Sequence, residues 1–245
     1  MKIGGYSHSY PWQLLTKSRS IQLSCRLRHT FDETELQRDL DAILQKYKLK
    51  QTHAIKDHDG GWSGIGLVAA NGNAFEDRLV DGVYEKTEVL KVAPYIDHII
   101  HSFDCELKRV RILRLAPGRD IRWHSDGGEC LDRGKARLHV PIVTNPKILF
   151  QISHEDQSWK AGELWYGDFA FPHRVRNASE KDRFHLVIDV VKNDKVTELF
   201  PVHIFEREAD RTETRATSQF LLRWTYLKPR NVITRMSHPN ANKTQ

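Results

Sequence analysis

The chain has 245 residues, enough for one large all-β or mixed domain, or for one domain with a small appendage. A hydrophobic fraction of 39% supports a sizeable core, whereas a charged fraction of 29%, a mean hydropathy of -0.58 and the lack of a long apolar run exclude a membrane-spanning chain. The net charge of +6 is spread along the whole sequence, with no basic run interleaved with aromatics, so it reads as solvated surface and no nucleic-acid partner is expected. The N-terminal stretch MKIGGYSHSYPWQLL lacks the apolar core of a secretory signal, and the three cysteines, Cys25, Cys105 and Cys130, are widely spaced. Free thiols and a cytoplasmic location are therefore expected.

In chain order, residues 1–55 read as a cover for the core. Leu36, Leu40, Ile43, Leu44 and Tyr47 recur at helical spacing, and Asp32 stands where an N-cap belongs, with Glu35 three residues on. A turn at His58-Asp59-Gly60-Gly61 precedes a short strand from Ile65 to Ala70. Pro94 can open a helix whose apolar face is Tyr95, Ile96, Ile99, Ile100 and Phe103. From about residue 106 the period falls to two. Short strands are predicted over 107–113, 122–126, 137–143, 148–152, 164–166 and 183–191, separated by glycine, proline and polar turns, the pattern of a β-sandwich or barrel. Beyond Lys195, the residues Phe200, Ile204, Phe220, Leu221, Leu222 and Trp224 suit one or two helices lying against that barrel, and SHPNANKTQ reads as a frayed end. The expected division is residues 1–195 as the β domain with its N-terminal helical cover, and 196–245 as a C-terminal helical extension.

His124 and Asp126 lie two apart in a predicted strand, so both should point to one face and reach one cation. Gly127-Gly128 after them allows an open turn. The best third ligand is His173, after Phe171-Pro172 and about fifty residues downstream, on another strand of the same barrel. Two histidines and one carboxylate on one face of an octahedron leave three open positions, the arrangement used by non-haem Fe(II) oxygenases. 2-Oxoglutarate would fill two of these, and its far carboxylate would need a cation. Arg183, ten residues after His173, can grip it with two parallel hydrogen bonds. Arg137 and His139 share a face and could bond the metal-bound end of the same co-substrate.

The segments RILRLAPGRDIRWHSD, RLHVPIVTN, GELWYGDFAFPHRVRN and DRFHLVIDV, in that order, resemble the aspartyl/asparaginyl β-hydroxylases, and in particular the free-standing bacterial branch that resembles cis-proline hydroxylases. The resemblance covers about a third of the chain. It implies a double-stranded β-helix core of jelly-roll or cupin type, mainly β with flanking helices. It also implies Fe(II) at His124, Asp126 and His173, 2-oxoglutarate held by Arg183 with Arg137 and His139 nearby, and dioxygen as the second co-substrate. Animal members lack the ligand carboxylate and carry a membrane anchor and a repeat domain. This chain keeps Asp126 and is expected to have neither addition. Asp126 also argues against a halogenase, because chloride would need the position that the carboxylate fills.

The expected activity is hydroxylation of a free amino acid or a small amino-acid derivative. The alternatives are hydroxylation of an Asp, Asn or other residue in a peptide or protein, and a β-barrel binding module without catalysis. His185 shares the face of Arg183 and reads as structural; Trp123 should face away from the metal into packing; Trp165 and Tyr166 read as core or rim. Oligomeric state is not legible in the sequence.

Overall fold

In chain order the elements are α1 (Pro11–Ser18), β1 (Ser24–Thr30), α2 (Glu33–Lys46), β2 (Lys50–Gln51), β3 (Trp62–Ala70), β4 (Tyr84–Lys86) and α3 (Pro94–His101). There follow β5 (Leu107–Leu115), β6 (Asp120–His124), β7 (Lys135–Val143), β8 (Ile148–Ile152), β9 (Glu155–Gln157), β10 (Glu163–Gly167), β11 (His173–Asn177) and β12 (Arg183–Val191). Two helices close the series, α4 (Asp194–Glu198) and α5 (Glu208–Leu222). The structure, a computed structural model, describes residues 9–229 apart from 79 and 81; the expected frayed end at 237–245 lies outside the described residues.

Two antiparallel sheets face each other. The larger has the order β1-β10-β7-β12-β5-β3-β2, with β4 on β3, and the smaller has the order β6-β11-β8-β9. From β5 to β12 the chain passes back and forth between them, so that the first and last of these strands lie side by side in the large sheet and β6 and β11 lie side by side in the small one. This winding is the double-stranded β-helix, a jelly roll.

The large sheet is buried on both faces, and period two divides its strands between two environments. On β12 the residues Phe184, Leu186, Ile188 and Val190 join Leu138 and Val140 of β7 and Val110 and Ile112 of β5 in one apolar cluster beneath α2 and α3. The alternate residues, Arg183, His185, Val187 and Asp189, face the space between the sheets. Helix α2 starts where expected, because the Asp32 carboxylate accepts hydrogen bonds from the backbone of Thr34 and Glu35 at 2.8 and 3.0 Å. Its inner face buries Leu36, Leu40 and Ile43. Asp39 on that face accepts from the Ile96 backbone at 2.9 Å and satisfies a free N–H at the start of α3.

Three features depart from the sequence reading. The N-terminal cover is not purely helical: β1 pairs with β10, Cys25 opposite Tyr166, as the edge strand of the large sheet. Arg26, Arg28, His29 and Thr30 of β1 are exposed, which suits an edge, and the alternation of buried Cys25 and Leu27 with Arg26 and Arg28 is too short to mark a strand. The ligand region is split, since β6 ends at His124 and Asp126 lies in the loop beyond it. In the tail, α5 packs on α1, with Phe200, Ile204 and Leu222 buried, but Phe220 and Trp224 are 56% and 51% exposed. Trp123 does turn away from the space between the sheets, into a cluster with Trp12 and Leu222.

Gly162, in the turn entering β10, has φ of +71, and a Cβ there would stand 2.4 Å from the Phe31 carbonyl oxygen, which is backbone and cannot swing aside. Gly162→Ala is expected to destabilise the protein by roughly 1–3 kcal/mol, read from the urea unfolding midpoint. An unchanged midpoint would show that the turn relaxes freely.

Candidate active site

Antiparallel pairing of β6 with β11 sets His173 directly opposite His124, at the same end of the small sheet. Their rings lie 4.1 Å apart between centroids. Each Nδ1 sits against the carbonyl of the residue two positions earlier: His124 against Arg122 at 2.8 Å and His173 against Phe171 at 3.0 Å. A carbonyl only accepts, so both Nδ1 atoms carry the proton and both Nε2 atoms present a lone pair. Asp126 is delivered by its loop, whose backbone N–H donates to the Phe169 carbonyl at 2.8 Å. Its Oδ1 stands 3.6 Å from Nε2 of His124 and 4.0 Å from Nε2 of His173. One ligand atom from each of the three residues falls within 4.8 Å of the others, a grouping able to hold one cation. Burial and the neighbouring His124 push the His173 pKa down to about 3, which keeps the imidazole neutral and ready to ligate.

Burial by itself would raise the Asp126 pKa, but the Arg137 guanidinium and the two histidines outweigh it and hold the carboxyl well below its ordinary value. Arg137 is divided between two acids. Nε and Nη2 donate to the two oxygens of Asp189 at 2.6 and 2.9 Å, and Nη1 donates to Oδ2 of Asp126. Arg137, expected to contact the co-substrate, lines the cavity beside these ligands, and its guanidinium also fixes the Asp126 carboxylate.

The triad opens on a cavity of about 490 Å³, a size suited to a small organic molecule. Arg183 lines the same cavity. It is buried, its guanidinium lies 5.4 Å over the Phe150 ring, and its Nε has no hydrogen-bond partner. Burial without an acidic neighbour pulls its pKa down to about 9. Its Nη2 donates to Nδ1 of His185 at 3.2 Å, and that atom also meets Nδ1 of His139 at 3.2 Å. His185, expected to be structural, is thus the middle of a line from Arg183 to His139. Nε2 of His139 has no partner and belongs to the cavity wall. Tyr166 is fully buried in the outer core, and Trp165 stacks on Trp159 at 5.4 Å. Four further residues of the region were not singled out from sequence: Arg109, Arg111, Glu129 and Asp189. A signal for Asp189 exists, because it shares the period-two face of Arg183 and His185.

The chain matches the family described as Aspartyl/Asparaginyl beta-hydroxylase over residues 30–193. It belongs to that family. Its reaction class is therefore hydroxylation coupled to 2-oxoglutarate, with Fe(II) as the metal. Among solved structures, it is similar to a 2OG-Fe(II) oxygenase family oxidoreductase from Burkholderia pseudomallei, at 14% identity over 79% of this chain and 93% of that one, with a TM-score of 0.49. It is also similar to HygX from Streptomyces hygroscopicus, solved with nickel and 2-oxoglutarate, at 11% identity over 76% and 89%, with a TM-score of 0.47. A Pseudomonas putida prolyl-4-hydroxylase aligns at 13% identity over 74% and 99%, with a TM-score of 0.43. Among the described residues no helix is long and apolar enough to cross a membrane.

The donor set fits the cofactors of this β-hydroxylase family. Two bare imidazole nitrogens and a carboxylate held ionised suit Fe(II). A buried guanidinium with an unsatisfied Nε and no counter-ion suits the far carboxylate of 2-oxoglutarate, since an unpaired buried charge is costly until an anion arrives.

His139 and His185 are held far below their ordinary pKa, first by burial and then by the Arg183 charge. In the unfolded chain each imidazole regains a pKa of roughly 6.5. Below that value the unfolded chain binds more protons than the folded one, so stability falls as pH drops through about 6.5, by roughly 1 kcal/mol per pH unit for each histidine. Urea unfolding of the metal-free protein at about pH 7.5 and about pH 5.5 measures this. Equal stability at the two values would contradict the neutral pair.

Proposed function

We propose that this β-hydroxylase family member hydroxylates a free amino acid or a small amino-acid derivative, with His124, Asp126 and His173 holding Fe(II) and Arg183 holding the distal carboxylate of 2-oxoglutarate. The observation that carries the proposal is the placing of a three-residue ligand group and an uncompensated buried arginine on the walls of one cavity. Iron, 2-oxoglutarate and dioxygen together supply the oxidation of an unactivated C–H bond, with release of succinate and carbon dioxide.

The protein's own residues do the positioning. Arg137 orients Asp126 and keeps it ionised. The Arg122 and Phe171 carbonyls fix the tautomer and the tilt of the two histidines. Arg183, steadied by His185, sets the end of the cavity to which the co-substrate is anchored, and His139 lines the stretch between. Phe150, Phe169 and Val175 exclude water around these groups, which strengthens each charge interaction inside. We read residues 1–195 as the catalytic unit and 196–245 as an extension to it. A cavity of this size favours a small substrate over an extended peptide.

Asp126→Ala is expected to abolish product formation and weaken iron binding by about tenfold or more, while the far-ultraviolet circular dichroism stays that of the wild type. Arg183→Ala is expected to act chiefly on the co-substrate, raising the 2-oxoglutarate concentration for half-maximal succinate release by about tenfold to a hundredfold. Succinate release in air, measured with a panel of free amino acids and short peptides, checks both. Full turnover of either variant at low 2-oxoglutarate would remove that residue from its role, and coupled turnover of peptides alone would replace the small-substrate reading.

A further inference from the structure

A second arginine in the cavity has no adequate counter-ion. Arg111 lies in the middle of β5 and is only 7% exposed. It lines the same space as the iron ligands. Its Nε has no hydrogen-bond partner. Among the described residues its one acidic neighbour within ion-pair range is Asp189, whose Oδ2 stands 3.6 Å from Nη2, too long for a hydrogen bond. That oxygen is already taken, accepting from Arg109 Nε at 3.2 Å and Arg137 Nη2 at 2.9 Å. Burial and then the neighbouring Arg109 charge lower the Arg111 pKa to about 9, as expected of a cation without its anion.

Charge counting over this region gives the same result. Among the charged groups lining the cavity, Arg78, Arg109, Arg111, Arg137 and Arg183 stand against Asp57, Asp126 and Glu129, with Asp189 held on Arg137, so positive charge is in excess. Adding Fe(II) and doubly charged 2-oxoglutarate leaves that excess unchanged. Arg111 is also well separated from Arg183. In the sheet register Arg111 is opposite Val187 and Arg183 is opposite Leu115, four residues along the strand, or about 13 Å. The Arg183 guanidinium lies over Phe150 and the Arg111 guanidinium is drawn towards Asp189, at the other end of the same face. Between them Leu113, Val187 and Trp62 supply apolar wall, with the Trp62 ring 6.1 Å from that of His124.

We infer that Arg111 receives a carboxylate of the substrate, whose apolar part lies against Leu113, Val187 and Trp62, beside the iron ligands. A guanidinium can bind a carboxylate through two parallel hydrogen bonds, which would satisfy the orphaned nitrogen and offset the excess charge together. The carboxylate could be the α-carboxylate of a free amino acid or the side chain of an acidic residue. The inference rests on the hydroxylase reading above.

The test is thermal melting under argon of protein loaded with Fe(II) and 2-oxoglutarate. Three matched sets of compounds are added: free L-amino acids, their carboxamides, and end-blocked peptides containing one aspartate or glutamate. Members of the first or third set are expected to raise the melting temperature and the carboxamides are not; which of the two responds identifies the source of the carboxylate. Arg111→Gln is expected to weaken the responding acid by about tenfold or more while keeping the shift caused by 2-oxoglutarate alone. Carboxamides that stabilise as well as the acids, or no response to any set, would overturn the inference. So would an Arg111→Gln protein that keeps the acid response, or one that loses the 2-oxoglutarate shift as well. If Arg111→Gln does not fold, the comparison of acids with carboxamides on the wild-type protein decides alone. A wild-type protein stabilised by neither Fe(II) nor 2-oxoglutarate would overturn the hydroxylase reading itself, a different result from any of these.

Discussion

The site depends on the Arg137 guanidinium lying between Asp189 and Asp126. A ligand carboxylate inside a barrel must stay charged to bind a cation, yet burial favours its neutral form. Arg137 reverses that preference before any metal arrives, and Asp189 orients Arg137 by gripping its other edge. Removing one partner of such a buried set leaves a stranded charge, at a cost of about 3–5 kcal/mol. The rest of the inner face follows from this: the strands that carry these residues must present them at one level, and the register of Asp189 opposite Arg137 does so.

The two sheets divide the work. The small sheet holds the two histidines at fixed spacing by strand pairing, and the backbone carbonyls of Arg122 in β6 and Phe171 just before β11 choose their tautomers. The large sheet has a dry outer face of aliphatic side chains that anchors it to α2 and α3, and a charged inner face that lines the cavity. Because side chains alternate, β12 contributes to both tasks without compromise: Leu186 and Ile188 pack outward while His185 and Val187 line the cavity. The inner charges are tolerable only because each pairs with a carboxylate or awaits one.

Much of this was legible in the sequence. The period of two from about residue 106 announced the β core, the Asp32 cap located α2, and His124, Asp126, His173 and Arg183 stood out by type and spacing. What stayed hidden has physical causes. Asp126 looked like a strand residue because spacing alone cannot show that β6 stops at His124. Arg109 and Arg111 were invisible because β5 is buried on both faces, so nothing in its pattern tells which face is core and which is cavity. The grip of Asp189 on Arg137 was hidden because the two are 52 residues apart in the chain. The line from Arg183 through His185 to His139 was hidden because a histidine on a buried strand offers no sign of its partners. β1 was missed because an edge strand need bury little of itself.

Helix α5 lies beyond residues 30–193, the stretch shared with the family, yet it reaches into the heart of the site. Arg215 donates to Asp132, in the loop that leaves Asp126, at 2.6 and 2.9 Å, and to Asp168, in the loop that leads to His173, at 2.9 Å. Gln219 donates to the Ala170 carbonyl in that second loop at 2.7 Å. Both aspartates are almost wholly enclosed. While the chain is being synthesised, the loop that carries Asp126 and the loop that leads to His173 are complete before their shared counter-ion, Arg215. Until then two carboxylates must remain in water, and the loops cannot close in their final form. A helix that supplies none of the three candidate ligands thus pins the loops beside them.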